Sequence, residues 1–140
     1  MPRLPRVPLK HVHPLVGKHY RYAVVGASAD PEKFGHIVFF DLKHSGFPVV
    51  PVNPKLIELG GVPAVRRLQD ITPPPDVAVV VVPPAVGVKI LDDAKEAGIP
   101  RLWFQPGAES EEIRRKAAEL GLKALANGSC IMVARRLMDV

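Results

Sequence analysis

The segment from residue 77 to residue 82 constrains the fold more than any other feature of this sequence. It reads Val-Ala-Val-Val-Val-Val, without a polar residue. β-Branched side chains favour strands, and a strand that lacks alternating polar residues is covered on both of its faces. This segment therefore predicts a central strand of a parallel sheet, with helices packed above and below it.

The rest of the chain repeats one unit, in which a strand pattern, a loop, a helical pattern and a glycine follow one another. Helices are predicted over 35–45, from the proline pair at 83–84 to Gly98, and from the capping residue Ser110 to Gly121. We expect these helices to bury Ile37, Phe40 and Val86. The other strands are predicted over Tyr22–Val25, Val49–Val52, Arg101–Phe104 and 123–126, with a short edge strand near 62–65 and a loop through 73–75.

Alternating strands and helices with short connections require right-handed crossovers between parallel strands. The predicted fold is α/β, a doubly wound parallel sheet of about five strands with helices on both faces, which is a Rossmann-like three-layer α/β/α arrangement. Residues 1–18 are basic and rich in proline, so we interpret them as an N-terminal arm, with residues 19–140 as one domain. His11, His13 and His19 fit no zinc spacing and are left unassigned.

The composition limits the classes of function. The net charge is +5, but the basic residues are scattered and aromatic residues make up only 6%, which argues against nucleic acid as the partner. The one cysteine cannot form an internal disulfide, and we find neither a signal-peptide pattern nor an apolar stretch long enough to span a bilayer. We therefore expect a cytoplasmic protein that does not bind a membrane. Few Asn and Gln residues are present, as in thermophilic proteins.

Ligands of open parallel sheets bind at the carboxyl ends of the strands, beside helix N-termini. The first such loop offers Gly26 for close approach of the backbone, the Ser28 hydroxyl for a phosphate, and the Lys33 ammonium just before a helix. On this interpretation Gly26→Val should block binding without unfolding the domain. Asn53 and Gln105, two of the rare amides, also follow predicted strands.

The residues that follow the second predicted strand distinguish between the possible nucleotide cofactors. NAD-binding domains place a carboxylate after this strand to hold the ribose diol, whereas here Val52 is followed by Asn53, Pro54 and Lys55. A lysine without a carboxylate favours a ribose that carries a phosphate, as in NADP or coenzyme A. Val52, Pro54 and the proline pair at 83–84 offer apolar contacts for an adenine or a pantetheine arm.

Six blocks of sequence follow one another at 25–28, 31–35, 51–55, 82–84, 103–110 and 127–130. Together they closely resemble the small stand-alone CoA-binding proteins, which are similar to the CoA-binding domain of the succinyl-CoA synthetase α subunit. The resemblance extends from Tyr22 to Met132. It implies a CoA site lined by Ser28, Lys33, Asn53, Lys55, Pro83, Pro84 and Gln105. The matching blocks add Gly26, Ala27, Gly35, Val52, Pro54, Val82 and Gly107 as candidate contacts.

The expected function is to bind CoA or an acyl-CoA, either sequestering it or presenting it to an unknown protein partner, and we identify no catalytic group. Cys130 is interpreted as a small buried side chain rather than a thiol that reacts with the ligand, and His36 and His44 as residues on the helix surface. A binding module is favoured over an enzyme. The alternatives are an NADP-dependent oxidoreductase and a detached subunit of an acyl-CoA synthetase.

Overall fold

The computed structural model describes residues 15–138 of the chain. The strands are β1 (Tyr22–Val25), β2 (Val49–Val52), β3 (Glu58–Leu59), β4 (Val62–Pro63), β5 (Val77–Val80), β6 (Arg101–Phe104) and β7 (Lys123–Leu125). The helices are α1 (Phe34–His44), α2 (Pro84–Ala97), α3 (Glu111–Leu120) and α4 (Ile131–Met138), with a 3₁₀ turn at Leu68–Asp70. Most of the predicted arm, including His11 and His13, lies outside the described residues.

Five parallel strands form the main sheet in the order β2-β1-β5-β6-β7. Strand β1 pairs with both β2 and β5. The chain therefore adds β2 on one side of β1, and then returns to add β5, β6 and β7 on the other side. The doubly wound α/β fold is thereby confirmed. The predicted central strand is β5, which ends at Val80 and is buried along its whole length.

The two faces of β5 belong to two hydrophobic clusters. Val77 and Val79 pack in the cluster that includes α1 and α4, whereas Ala78 and Val80 pack in the cluster that includes α2 and α3. Each face of the sheet is therefore covered by two helices. Because helices cover both faces of β5, every position of this strand is apolar in the sequence.

The helix ends follow the local signals in the sequence. Ser110 caps α3 by accepting a hydrogen bond from the Ile113 amide at 3.2 Å, and Gly98 and Gly121 end α2 and α3 in the left-handed conformation. The helix faces were harder to predict. Ile37 and Val86, expected inside, are 40% and 45% exposed.

The segment between β2 and β5 differs from the single edge strand expected near 62–65. Val62–Pro63 pairs with Glu58–Leu59 as a separate antiparallel hairpin. Val65 alone joins the main sheet, through a parallel bridge to Val52. Strand β4 of this hairpin lies against β2, the outer strand of the main sheet.

Two sets of contacts hold segments that lie outside the predicted strands and helices. The buried Tyr22 hydroxyl donates to the Leu15 carbonyl and accepts from the Gly17 amide, both at 2.9 Å, and burial raises the pKa of Tyr22 to about 12. Helix α4 was not predicted, and it is tied to α1 by a two-pronged ion pair in which Arg135 contacts the Asp41 carboxylate at 2.7 and 2.9 Å.

Candidate functional site

The strand order creates a crevice between β1 and β5 at their carboxyl ends, because the loops that follow these two strands leave in opposite directions. A cavity of about 710 Å³ opens there. Its walls come from four loops or helix starts, and the lining residues are Gly26, Glu32, Lys33, Phe34, Gly35, Val81, Val82, Pro83, Pro84, Gln105, Pro106, Gly107, Ala108, Cys130 and Met132.

Three helices begin at the wall of this cavity. Phe34 starts α1, Pro84 starts α2, and Met132 lies in the first turn of α4. The N-terminus of a helix carries partial positive charge and amide groups that the helix itself does not use. Their convergence at one cavity makes the site suited to a ligand with several negative charges.

Gly26 and Gly35 bring the first loop into direct contact with the start of α1. A β-carbon at Gly35 would fall on the carbonyl group of Gly26, and one at Gly26 would lie 2.5 Å from the Val81 carbonyl oxygen. Gly26 also has φ +95°, which disfavours other residues. Gly26→Val is therefore expected to disturb the fold as well as any ligand, contrary to the expectation from sequence.

Asn53 joins the loops after β1 and β2. Its side-chain amide donates to the Ala27 carbonyl at 2.8 Å, and its side-chain oxygen accepts from the Lys55 amide at 2.8 Å. Ala27 is fully buried. The ligand-binding interpretation of Asn53 thus has a structural alternative in which it fixes the mutual position of the two loops.

Ser28 lies in the first loop, outside the cavity wall. Its hydroxyl accepts from the Asp30 amide at 3.1 Å. The Ser28 carbonyl accepts from Nδ1 of His36 at 2.9 Å, and the His36 ring packs against Phe40 at 4.5 Å. His36 is therefore half-buried and supports the first loop, rather than lying free on the helix surface as expected.

Lys33 and Lys55 are both exposed. Among residues 15–138, neither ammonium has a hydrogen bond or an ion pair. Lys33 lines the cavity, whereas Lys55 follows β2 at the edge of the sheet. Two cations are thus available, one at the crevice and one at the edge.

Gln105 is 4% exposed and connects β6 to α4. Its side-chain oxygen accepts from the Ile131 amide at 2.8 Å, and its amide nitrogen donates to the Cys130 sulfur at 3.3 Å. Gln105 lines the cavity, but these contacts mainly position the start of α4. Cys130 is half-buried at the cavity wall, so it is less enclosed than the sequence interpretation assumed.

The predicted site residues fall into two groups. The cavity wall contains Gly26, Lys33, Gly35, Val82, Pro83, Pro84, Gln105 and Gly107. The first loop and the end of β2, beyond that wall, contain Ala27, Ser28, Val52, Asn53, Pro54 and Lys55. Seven lining residues are not among the predicted site residues, namely Glu32, Phe34, Val81, Pro106, Ala108, Cys130 and Met132. For Phe34 and Met132, the position at a helix start is the signal that could have indicated them.

Residues 20–136 match the family described as CoA binding domain. The chain belongs to this family. It is 32% identical over 114 residues to YneT of Bacillus subtilis, an uncharacterized protein, with 81% of this chain and 84% of that one covered. A conserved hypothetical protein of Pyrococcus furiosus has a similar structure, with 47% identity, a TM-score of 0.78, and coverage of 81% of this chain and 97% of that chain.

A larger relative has a named activity. The α subunit of the ADP-forming acetate–CoA ligase II of Pyrococcus furiosus is 36% identical over 102 residues, which are 70% of this chain and 22% of that subunit. The chain thus spans about a fifth of that relative.

Two structural features are absent from the part of the chain that the structure describes. No helix there is long and apolar enough to cross a bilayer. No group of three or more His, Cys, Asp or Glu side chains is arranged there to hold a metal ion.

Proposed function

We propose that this protein binds coenzyme A or an acyl-CoA along the carboxyl edge of its sheet, as a binding module without chemistry of its own. One observation carries the proposal: three helix N-termini and the Lys33 ammonium meet at a single cavity at the crevice between β1 and β5. CoA has about four negative charges near neutral pH, which helix N-termini and lysines can balance.

The cavity also suits the uncharged part of CoA. Val82, Pro83, Pro84, Phe34 and Met132 contribute apolar side chains to its lining. A pantetheine arm is flexible and mostly apolar, so an apolar channel with few polar groups fits it. The pyrophosphate would lie by Lys33 and the start of α1.

The adenosine end would then extend toward β2. Val52 and Pro54 would contact the adenine, and Lys55 would contact the ribose phosphate. Asn53 and Ser28 would shape this part of the site through the loop contacts described above. In this orientation Lys33 would contact the pyrophosphate and Lys55 the ribose phosphate.

A binding role accounts for the polar groups at the cavity. Glu32, Lys33 and Cys130 are the lining side chains that can titrate. The Cys130 sulfur is in contact with the Gln105 amide, which belongs to the anchor of α4. A module that holds CoA needs no nucleophile. In this proposal Glu32 and Lys33 contribute charge to the site, and Cys130 contributes packing.

The experiment is calorimetric titration of the purified chain with CoA, acetyl-CoA, dephospho-CoA, NADP and NAD, supported by thermal unfolding. A ligand that binds only the folded state raises the unfolding temperature with its concentration. CoA and acetyl-CoA should bind, with NADP and NAD far weaker. Binding of NADP in preference to CoA would contradict the proposal and favour an oxidoreductase.

The similarity to a ligase subunit favours a second candidate, a CoA-binding subunit that acts with a separate ATP-dependent chain. Its test is formation of acetyl-CoA from acetate, ATP and CoA. The chain alone should be inactive under both candidates. An increase in rate when it is added to an ATP-grasp subunit from the same genome would support the second, and no increase would contradict it.

A further inference from the structure

The segment after β4 extends the main sheet by one residue at its outer edge. The Val65 amide donates to the Pro51 carbonyl at 3.0 Å, and the Asn53 amide donates to the Val65 carbonyl at 2.9 Å. Together they form the parallel bridge between Val65 and Val52. Val65 is thus held beside the last residue of β2, with the chain running in the same direction.

This bridge determines where the next residue emerges. Since Val65 pairs with Val52 in parallel, Arg66 leaves the sheet at the same edge as Asn53. Lys55 belongs to the turn that Asn53 begins. A segment outside the repeated strand–helix units therefore brings a second cation to the loop that follows β2.

Arg66 and its neighbour differ in their contacts. Arg67 precedes the 3₁₀ turn and lies 4.0 Å from the carboxylate of Asp70 at the end of that turn. Arg66 is exposed, and within residues 15–138 its guanidinium has neither a hydrogen bond nor an ion pair. No structural contact accounts for Arg66, although the backbone on either side of it is held in place.

The chemistry of this pair suits a phosphate monoester. A guanidinium can donate two parallel hydrogen bonds to phosphate oxygens, and an ammonium supplies a compact point charge. The loop after β2 carries no carboxylate that would repel such a group. A ribose with a free diol would leave both cations without a partner.

We infer that Arg66 is a specificity-determining residue, which together with Lys55 recognises the phosphate monoester on the ribose of the bound nucleotide. This inference rests on the proposed function, because it assigns a role within the same site. Lys55 follows a strand of the strand–helix repeat, whereas Arg66 follows the β3–β4 hairpin, so two different segments of the chain contact the same phosphate.

The test compares ligands with and without this phosphate. Arg66→Met should weaken binding of CoA about 10- to 100-fold, the usual worth of a hydrogen bond to a charged group, and change dephospho-CoA binding less than about twofold. Arg66→Lys should recover part of the loss. Arg67→Met, which removes the same charge one residue further along, is the matched control and should affect both ligands slightly and equally.

Calorimetric titration of each variant, with thermal unfolding to verify the fold, distinguishes the outcomes. Equal weakening for CoA and dephospho-CoA, or unchanged CoA affinity, would overturn the inference while leaving the proposed function intact. Failure of the wild-type chain to bind either ligand would overturn both. The NADP and NAD pair identifies the source of the phosphate: preference for NADP with no CoA binding would assign Arg66 to a 2′-phosphate and contradict its role toward CoA.

Discussion

The crevice between β1 and β5 and the outer edge at β2 present opposite kinds of binding surface. The crevice is built from backbone and buried contacts, namely the approach of Gly26 to Gly35 and the hydrogen bonds of Gln105 to the start of α4. The edge presents Lys55 and Arg66, two exposed cations on loops held by backbone hydrogen bonds. The difference implies that substitutions at the buried contacts of the crevice change the fold, whereas those at the edge change ligand preference.

The largest effect should come from Gly35→Ala. The added β-carbon would meet the Gly26 carbonyl, which belongs to the backbone and cannot rotate away. We expect a loss of about 3 kcal/mol in the free energy of unfolding, the cost of overpacking a rigid site, despite the better helix propensity of alanine. Denaturant unfolding measures this loss.

Gly87→Ala is the matched control, since Gly87 is also a buried helical glycine near the start of a helix. Its β-carbon would lie 3.3 Å from a ring atom of Phe104 and 3.4 Å from Ile113, both side chains that can adjust. We expect a change within about 1 kcal/mol, because the gain in helix propensity offsets the tight contact. If the two variants were equally stable, the Gly26–Gly35 approach would not determine the fold of the crevice.

The next prediction separates the two lysines by ligand. Lys55→Met should weaken CoA by about 1.5–3 kcal/mol and leave dephospho-CoA nearly unchanged, whereas Lys33→Met should weaken both ligands by similar amounts. The reason is that dephospho-CoA keeps the pyrophosphate assigned to Lys33. Two proteins and two ligands form a double-mutant cycle whose coupling term isolates the contact.

Lys89→Met provides the control for the lysine cycle, because Lys89 is exposed on α2 and its loss changes the net charge by the same amount. It should alter neither affinity appreciably. If Lys55→Met weakens the binding of CoA and dephospho-CoA equally, Lys55 acts as background charge or contacts the pyrophosphate. The assignment of Lys55 to the ribose phosphate would then be wrong.

A smaller effect is expected for Gln105→Met, which keeps the size of the side chain but removes the acceptor for the Ile131 amide. A buried amide left without a partner costs about 1–3 kcal/mol. Hydrogen exchange should show faster opening of α4, and CoA binding should weaken because Met132 and Cys130 line the cavity.

Gln69→Met is the control for Gln105→Met, since Gln69 bonds only to carboxylates of α2 in the part of the chain that the structure describes. It should leave exchange in α4 unchanged. Normal protection of α4 in Gln105→Met would show that the Arg135–Asp41 ion pair and the core packing of Ile131 and Ala134 are sufficient to hold the helix.

Local signals explain which parts of this molecule were predictable. Strands such as Tyr22–Val25 combine β-branched or apolar residues with nearby turn residues, and the sheet topology then determines which loops meet. The face of α1 was not predictable in this way, because apolar residues occupy most of its positions and Ile37 is no less apolar than the buried Phe39. Helix α4 depends on a contact between residues 94 positions apart, which a local pattern does not contain.

The site shows the same division. The topology rule directed attention to the loops after β1, β5 and β6, and residues of these loops line the cavity. The roles within the loops depend on contacts between them, as when Asn53 donates to Ala27 across 26 positions. A side chain at a strand end can thus be read as a ligand contact or as a loop anchor, and only the folded geometry shows the second.

The smallest expected effect is a difference in salt dependence between the two ligands. Raising the salt concentration from about 0.1 M to about 1 M shortens the screening length from about 10 Å to about 3 Å, and exposed charges are screened more than enclosed ones. CoA, which alone reaches the edge cations with a phosphate monoester, should lose more affinity than dephospho-CoA, by an additional ~1 kcal/mol or less. Calorimetric titrations at both salt concentrations measure the two losses. In Lys55→Met the additional loss for CoA should shrink, because one of the screened contacts has already been removed. Parallel losses for the two ligands in the wild-type chain would mean that the edge contributes no phosphate contact, and that the crevice accounts for the electrostatic part of binding.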